Sequence, residues 1–157
     1  MDGDTLGALA RLVRKERVAS LGTLRRGAPL VSLVAYLPQE DFGAFDLRVS
    51  RLAWHTQDMA REPRVSLAIT QTDDGRADPQ TLMRVALRGE ARPLEGPGAE
   101  LERLEQAWLA RFPASALTFE LADFAFWRFA VRDARFVAGL GRTYNVAPAD
   151  LAAAARA

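Results

Sequence analysis

The fold is decided by the stretch Val18 to Leu37, VASLGTLRRGAPLVSLVAYL. Two apolar runs, Val18–Leu24 and Leu30–Leu37, flank the short connection Arg25-Arg26-Gly27. Val- and Leu-rich runs joined by a brief Gly-bearing link predict a β-hairpin, and therefore antiparallel pairing at the start of the sheet. Upstream, Leu6, Leu9, Leu12 and Val13 recur at helical spacing with Arg11, Arg14, Lys15 and Arg17 facing elsewhere. This predicts an amphipathic helix over 5–17, with Asp4 as its N-cap.

Downstream, Pro38 to Gly43 closes the hairpin and Ala44–Ser50 reads as a third strand. Residues 51–62 carry helical rather than alternating spacing, with Leu52, Thr56 and Met59 on one face before Pro63. Val65, Leu67 and Ile69 alternate as a fourth strand, and Met83, Val85 and Leu87 mark a fifth over Leu82–Ala91. Glu100–Phe112 is a surface helix with an apolar stripe of Leu101, Leu104, Trp108 and Phe112. The aromatic stretch Ala116–Arg132 is predicted extended, Asp133–Ala138 a last strand, and the Ala-rich tail from Pro148 a short helix. Short strands with hairpin connections leave no room for repeated βαβ crossovers. The expectation is a mainly β, α+β domain spanning 1–157, an antiparallel barrel with peripheral helices at 1–17 and 148–157.

Composition narrows the chemistry. The chain has 157 residues, 49% apolar and 26% charged, as expected of one globular domain that fills its own core. It has no Cys and one His, His55, which removes disulfides, thiolate catalysis and ordinary zinc sites from consideration. Of 21 basic residues only Lys15 is Lys, yet 20 acidic residues leave a net charge of +1, which does not describe a nucleic-acid binder. No apolar run reaches the ~18 residues of a membrane span. Asp2 and Asp4 precede no signal-peptide core, so a cytoplasmic location is expected.

Phosphate loops, dinucleotide fingerprints and nucleophile elbows are absent, and a Ser–His–Asp triad would have to use His55 without any supporting local pattern. The informative segment is Val49-Ser50-Arg51-Leu52-Ala53-Trp54-His55-Thr56-Gln57. A strand-to-helix junction there exposes backbone N–H groups suited to an anion, and Ser50, Thr56, Arg51 and His55 add donors. Read as structure alone, Ser50 is the helix N-cap and His55 a half-exposed helical residue. Arg84, expected mid-strand, is a second candidate facing a barrel-side cleft; Gly139-Leu140-Gly141-Arg142 reads as a turn.

Taken in order, these segments resemble the FMN-binding split-barrel superfamily that includes pyridoxamine 5'-phosphate oxidase. The resemblance is closest to short bacterial members near the haem-degrading branch. It rests on Leu21-Gly22-Thr23-Leu24, Pro29 to Tyr36, Ser50-Arg51-Leu52-Ala53-Trp54-His55-Thr56, Pro63-Arg64-Val65-Ser66-Leu67, Arg84 to Gly89, Phe112-Pro113-Ala114-Ser115 and Gly139 to Arg142. It implies a six-stranded antiparallel split barrel acting as a homodimer, with two flavin sites at the interface and an unknown small-molecule substrate. FMN is the implied cofactor, with haem or a deazaflavin as alternatives, and the implied activity is that of a flavin-dependent oxidoreductase or a non-enzymatic flavin protein. Carried over by position, Ser32 and Val34 lie beside the cofactor, and Ser50, Arg51, Trp54, His55 and Thr56 surround its phosphate. Arg84 falls where an amide side chain reaches the flavin, and Arg142 comes from the second subunit. The oxidase's C-terminal Arg and His have no counterpart after Gly141, so vitamin B6 oxidation is not implied. The haem-degrading relatives use a C-terminal axial His, whereas the one His here is His55.

Overall fold

A computed structural model describes all 157 residues. Helix α1 (Gly3–Lys15) is capped by Asp2, whose carboxylate accepts the Thr5 N–H at 2.8 Å. Asp4 therefore lies inside the first turn, where its charge suits the helix dipole, and is not the cap. The buried stripe Leu9, Leu12 and Val13 docks on the barrel, and the Tyr36 hydroxyl donates to the Val13 carbonyl at 2.8 Å.

Strands β1 (Val18–Arg25) and β2 (Ala28–Pro38) form the predicted hairpin, with Val18 opposite Ala35 and Arg25 opposite Ala28. The link is the pair Arg26-Gly27, at φ 53° and 84°. Two positive φ values in a two-residue loop are those of a type I′ turn, whose twist matches the strands it joins. After β2 come β3 (Ala44–Ser50), α2 (Trp54–Arg61), β4 (Arg64–Thr70) and β5 (Arg84–Pro93). These are followed by α3 (Ala99–Arg111), β6 (Phe124–Val137), β7 (Thr143–Val146) and α4 (Pro148–Ala155).

The strand order is β3-β2-β1-β4-β5-β6-β7, and β6 also pairs with β3, from Ala44 opposite Ala130 to Ser50 opposite Phe124. Every pairing is antiparallel. That extra ladder closes six strands into a barrel and leaves β7 as an added edge strand on β6. Closure removes two exposed edges.

Three boundaries differ from the sequence reading. The stretch predicted extended from Ala116 begins instead with a 3-10 segment, Pro113–Phe119, which Pro113 initiates. The two expected final strands are one continuous β6, kept in register with β5 by a bulge at Arg88/Gly89. Arg84 is the first residue of β5, not mid-strand, because the 3-10 turn Pro79–Thr81 delays the strand's start.

Inward residues fill the barrel: Leu21, Tyr36, Phe45, Leu47, Leu67, Leu87, Phe129 and Phe136 are fully buried. Each such Leu or Phe contributes about 1.5–3 kcal/mol of transfer free energy. Tyr36 and Phe45 meet edge to face at 5.6 Å. A smaller cluster outside the barrel, Leu104, Trp108 and Phe126, seats α3 on β6. Beside it the fully buried carboxylate of Asp46 accepts two hydrogen bonds from Arg128, at 2.8 and 3.2 Å, which joins β3 to β6 where the barrel closes.

Candidate site at the junction of β3 and α2

Strand β3 ends at Ser50, and α2 begins four residues later at Trp54. Ala53 is the N-cap and offers no side-chain acceptor, and the first turn contains no acidic residue. The N–H groups of Trp54, His55 and Thr56 are thus helix-terminal donors with a partial positive charge and no capping side chain. Ser50 does not cap the helix. Its hydroxyl donates to Asp123 at 2.6 Å and accepts the Leu52 N–H at 3.1 Å. Together with the Arg51 N–H bond to the Asp123 carbonyl at 2.7 Å, this pins the junction to the chain entering β6.

The β1–β2 turn brings Arg25 to α2. Its guanidinium lies 4.1 Å from the centre of the Trp54 ring and pairs with Asp58 at 3.0 Å, while Thr23 donates to the same carboxylate at 3.3 Å. Trp54 is 60% exposed, so this stack sits at the surface. His55 Nε2 and Thr56 Oγ1 are buried and have no hydrogen-bond partner. Burial pushes the His55 imidazole below its ordinary range, against a smaller opposing effect of Asp58, so the ring is held towards its neutral form.

Next to the junction a cleft of about 960 Å³ opens between α2, the β5–α3 connection and the start of β6. Arg51 and Thr56 line it from the junction, and Arg48, Glu105, Phe124 and Phe126 line its other walls. It falls within the volume range of small-molecule and cofactor pockets.

The structure brings together Ser50, Arg51, Trp54, His55 and Thr56, which are contiguous in the chain. The other candidates lie apart from them within one chain. Val34 is in the barrel core, and Ser32 is half-buried opposite Leu21. Arg84 is exposed at the far end of β5 from the cleft and donates to the Gln80 and Leu82 carbonyls at 2.9 and 3.1 Å. It does not enter a barrel-side cleft, because the strand start turns it onto the preceding 3-10 turn. Arg142 occupies the β6–β7 connection and donates to the Thr5 hydroxyl of α1 at 2.9 Å. Sequence reasoning missed Arg48 and Glu105. The available signal was Phe45-Asp46-Leu47-Arg48-Val49, two charges in the outward phase of a strand that is otherwise apolar.

The sequence profile of the CREG β-barrel family matches residues 6–152. The chain belongs to that family. This CREG-type barrel is 30% identical to a haem-binding protein from Mycobacterium smegmatis; the match covers 98% of the chain and 62% of that protein, with a TM-score of 0.84. It is 31% identical over 118 residues to a chloroplastic non-canonical haem oxygenase of Arabidopsis thaliana, covering 75% of this chain and 34% of that protein. The CREG-type chain therefore spans about a third of the plant relative's length and about three fifths of the mycobacterial one's. A Clostridium acetobutylicum protein related to general stress protein 26, of the pyridoxinephosphate oxidase family, superposes with a TM-score of 0.71 over 96% of the chain and 99% of its own. At 15% identity that likeness shows the shared split-barrel fold alone. No helix of the CREG-type barrel is long and apolar enough to cross a membrane.

Proposed function

We propose that this protein binds haem, seating the haem carboxylates at the junction of β3 and α2 in a homodimeric split barrel. The observation that carries the reading is the likeness, at 30% identity over 98% of the chain, to a haem-binding protein. The residues present fit the anionic edge of such a group. An uncapped helix N-terminus without an acid in its first turn and the Arg51 guanidinium favour a carboxylate or phosphate. The His55 Nε2 and the Thr56 hydroxyl are both enclosed, so local opening must precede any contact of either with a ligand.

Bound there, haem would supply iron-centred redox chemistry. Arg51 and the α2 N–H groups would hold the carboxylates and set the orientation of the ring, and the exposed Trp54 indole offers an apolar face beside them. The same helix terminus suits a flavin phosphate equally well, and this favours FMN as the second reading, with an oxidoreductase role.

Titration of the purified protein with hemin tests the proposal. A Soret band saturating at one haem per chain is expected, weakened about tenfold or more in Arg51→Ala, as expected for loss of a charge-assisted hydrogen bond. Absence of a saturable Soret band would sink the haem reading. Quenching of FMN fluorescence at micromolar protein, without haem binding, would establish the flavin reading instead.

A further inference from the structure

Arg48 is a cation without a paired carboxylate. It projects from the outer side of β3 and is half-buried, yet it forms no salt bridge, whereas the similarly placed Arg25 and Arg128 pair with Asp58 and Asp46. Arg111, another half-buried guanidinium without a carboxylate, ends on the Arg14 and Glu16 carbonyls at the C-terminal end of α1, where the helix dipole compensates it. Arg48 meets only one such carbonyl, at the C-terminal end of the short 3-10 segment Pro113–Phe119. Its Nη1 donates to the Thr118 hydroxyl and its Nη2 to the Thr118 carbonyl at 2.8 Å. These contacts position it without neutralising it.

Its surroundings are aromatic. The guanidinium lies 3.7 Å from the Phe119 ring centre, 5.1 Å from Phe124 and 5.8 Å from Phe126. All four residues line the cleft of about 960 Å³, which also takes in Trp127 of β6. Burial pulls the Arg48 pKa down, as it does for a guanidinium partly removed from water. Glu105 of α3 lines the same cleft and makes no ion pair. Its field and that of Asp123 act on Arg48 from beyond bonding distance.

We infer that the part of this cleft walled by Arg48, Phe119 and Phe124 is a second ligand site beside the cofactor carboxylates, which meet the same cleft at Arg51, and that it takes a small aromatic carboxylate. The carboxylate pairs with Arg48 and the ring packs on Phe119 and Phe124. A planar carboxylate takes the guanidinium N–H groups that Thr118 leaves free, and the aromatic walls favour a ring over an inorganic ion. One or two fused rings fit the volume with the Arg48 guanidinium left in place. A cofactor at the junction would share the Arg51 and Thr56 border of this cleft, so the site requires the Arg48 wall to stay open beside it.

The test is calorimetric titration of the full chain with 2-naphthoate and, in parallel, with the uncharged 2-naphthalenemethanol. Naphthoate is expected to bind one per chain, about tenfold or more tighter than the alcohol, and to lose about tenfold in Arg48→Met. Glu105→Gln, which removes a competing negative charge from a helix surface, is expected to tighten naphthoate binding severalfold and serves should Arg48→Met fail to fold. No naphthoate binding at millimolar concentration, or unchanged affinity in either folded variant, would overturn the site. Repeating the titration with saturating hemin or FMN separates the two sites. Unchanged naphthoate affinity supports a second site, and displacement would show that the cleft belongs to the cofactor.

Discussion

Burial opposes the ionisation of His55, against a smaller favourable field from Asp58. In the unfolded chain its imidazole titrates near the ordinary value of about 6.5, and in the fold burial moves it lower. A depressed folded pKa means that the unfolded state takes up the proton first. The stabilising contribution is thus complete above about pH 6.5 and is lost as pH falls through the folded value. Denaturant midpoints measured at pH 7.5 and pH 5.0 should show a loss that is smaller in His55→Asn. An equal loss in both proteins would remove His55 from the acid response. Glu62, held down to about 2 by its exposed pair with Arg64, is common to both proteins and cancels from the comparison.

Among the elements, β5 and β6 carry the geometry that makes a barrel from a sheet. Their register shifts between Arg88 and Gly89, and the extra residue bends the sheet at the point where β6 must reach across to β3. Gly89 is required there for space, since its φ is not in the left-handed region. A Cβ at this position would overlap the Ala130 carbonyl oxygen and come within 2.9 Å of its carbon. Gly89→Ala is expected to cost about 1–3 kcal/mol of stability through overpacking against backbone that cannot rotate away. Thermal unfolding checks this, and a melting temperature equal to that of the parent would show that β6 has room to shift. Gly27→Ala, by contrast, meets no neighbour and should cost only the strain of its positive φ, about 1 kcal/mol.

For the whole molecule, the barrel's outer wall is covered unevenly. Helix α3 packs on Ala35 and Leu37 at one end of β2, while Val31 and Leu33 in the same outward phase are 69% and 72% exposed. Neighbouring β1 and β4 contribute the small residues Gly22, Ser66 and Ala68, so little side-chain bulk stands beside this apolar pair. A surface of this kind suits a self-complementary two-fold contact. Light scattering should give twice the 17.2 kDa chain mass, and Val31→Lys with Leu33→Glu should give the single-chain mass with an unchanged far-UV spectrum. A wild-type monomer at all concentrations would exclude the homodimer.

The hairpin, the helical entry, the strand phases and the β3–α2 junction were determined by the sequence alone, because each depends on spacing or turn chemistry within a few neighbouring residues. The I′ turn at Arg26-Gly27 and the donor-rich segment from Ser50 to Thr56 are local in this sense. Closure of the barrel, the single long β6 and the aromatic setting of Arg48 were decided only by tertiary structure. Asp46 meets Arg128 at a separation of 82 residues, and Arg48 meets Thr118 at 70. Outward phase in a strand is a property of the strand, but what covers that phase depends on which distant segment pairs beside it. The same limit separated Arg84 and Arg142 from the junction: their residue types suited an anion, and packing placed them on the carbonyls of a 3-10 turn and on the hydroxyl of α1.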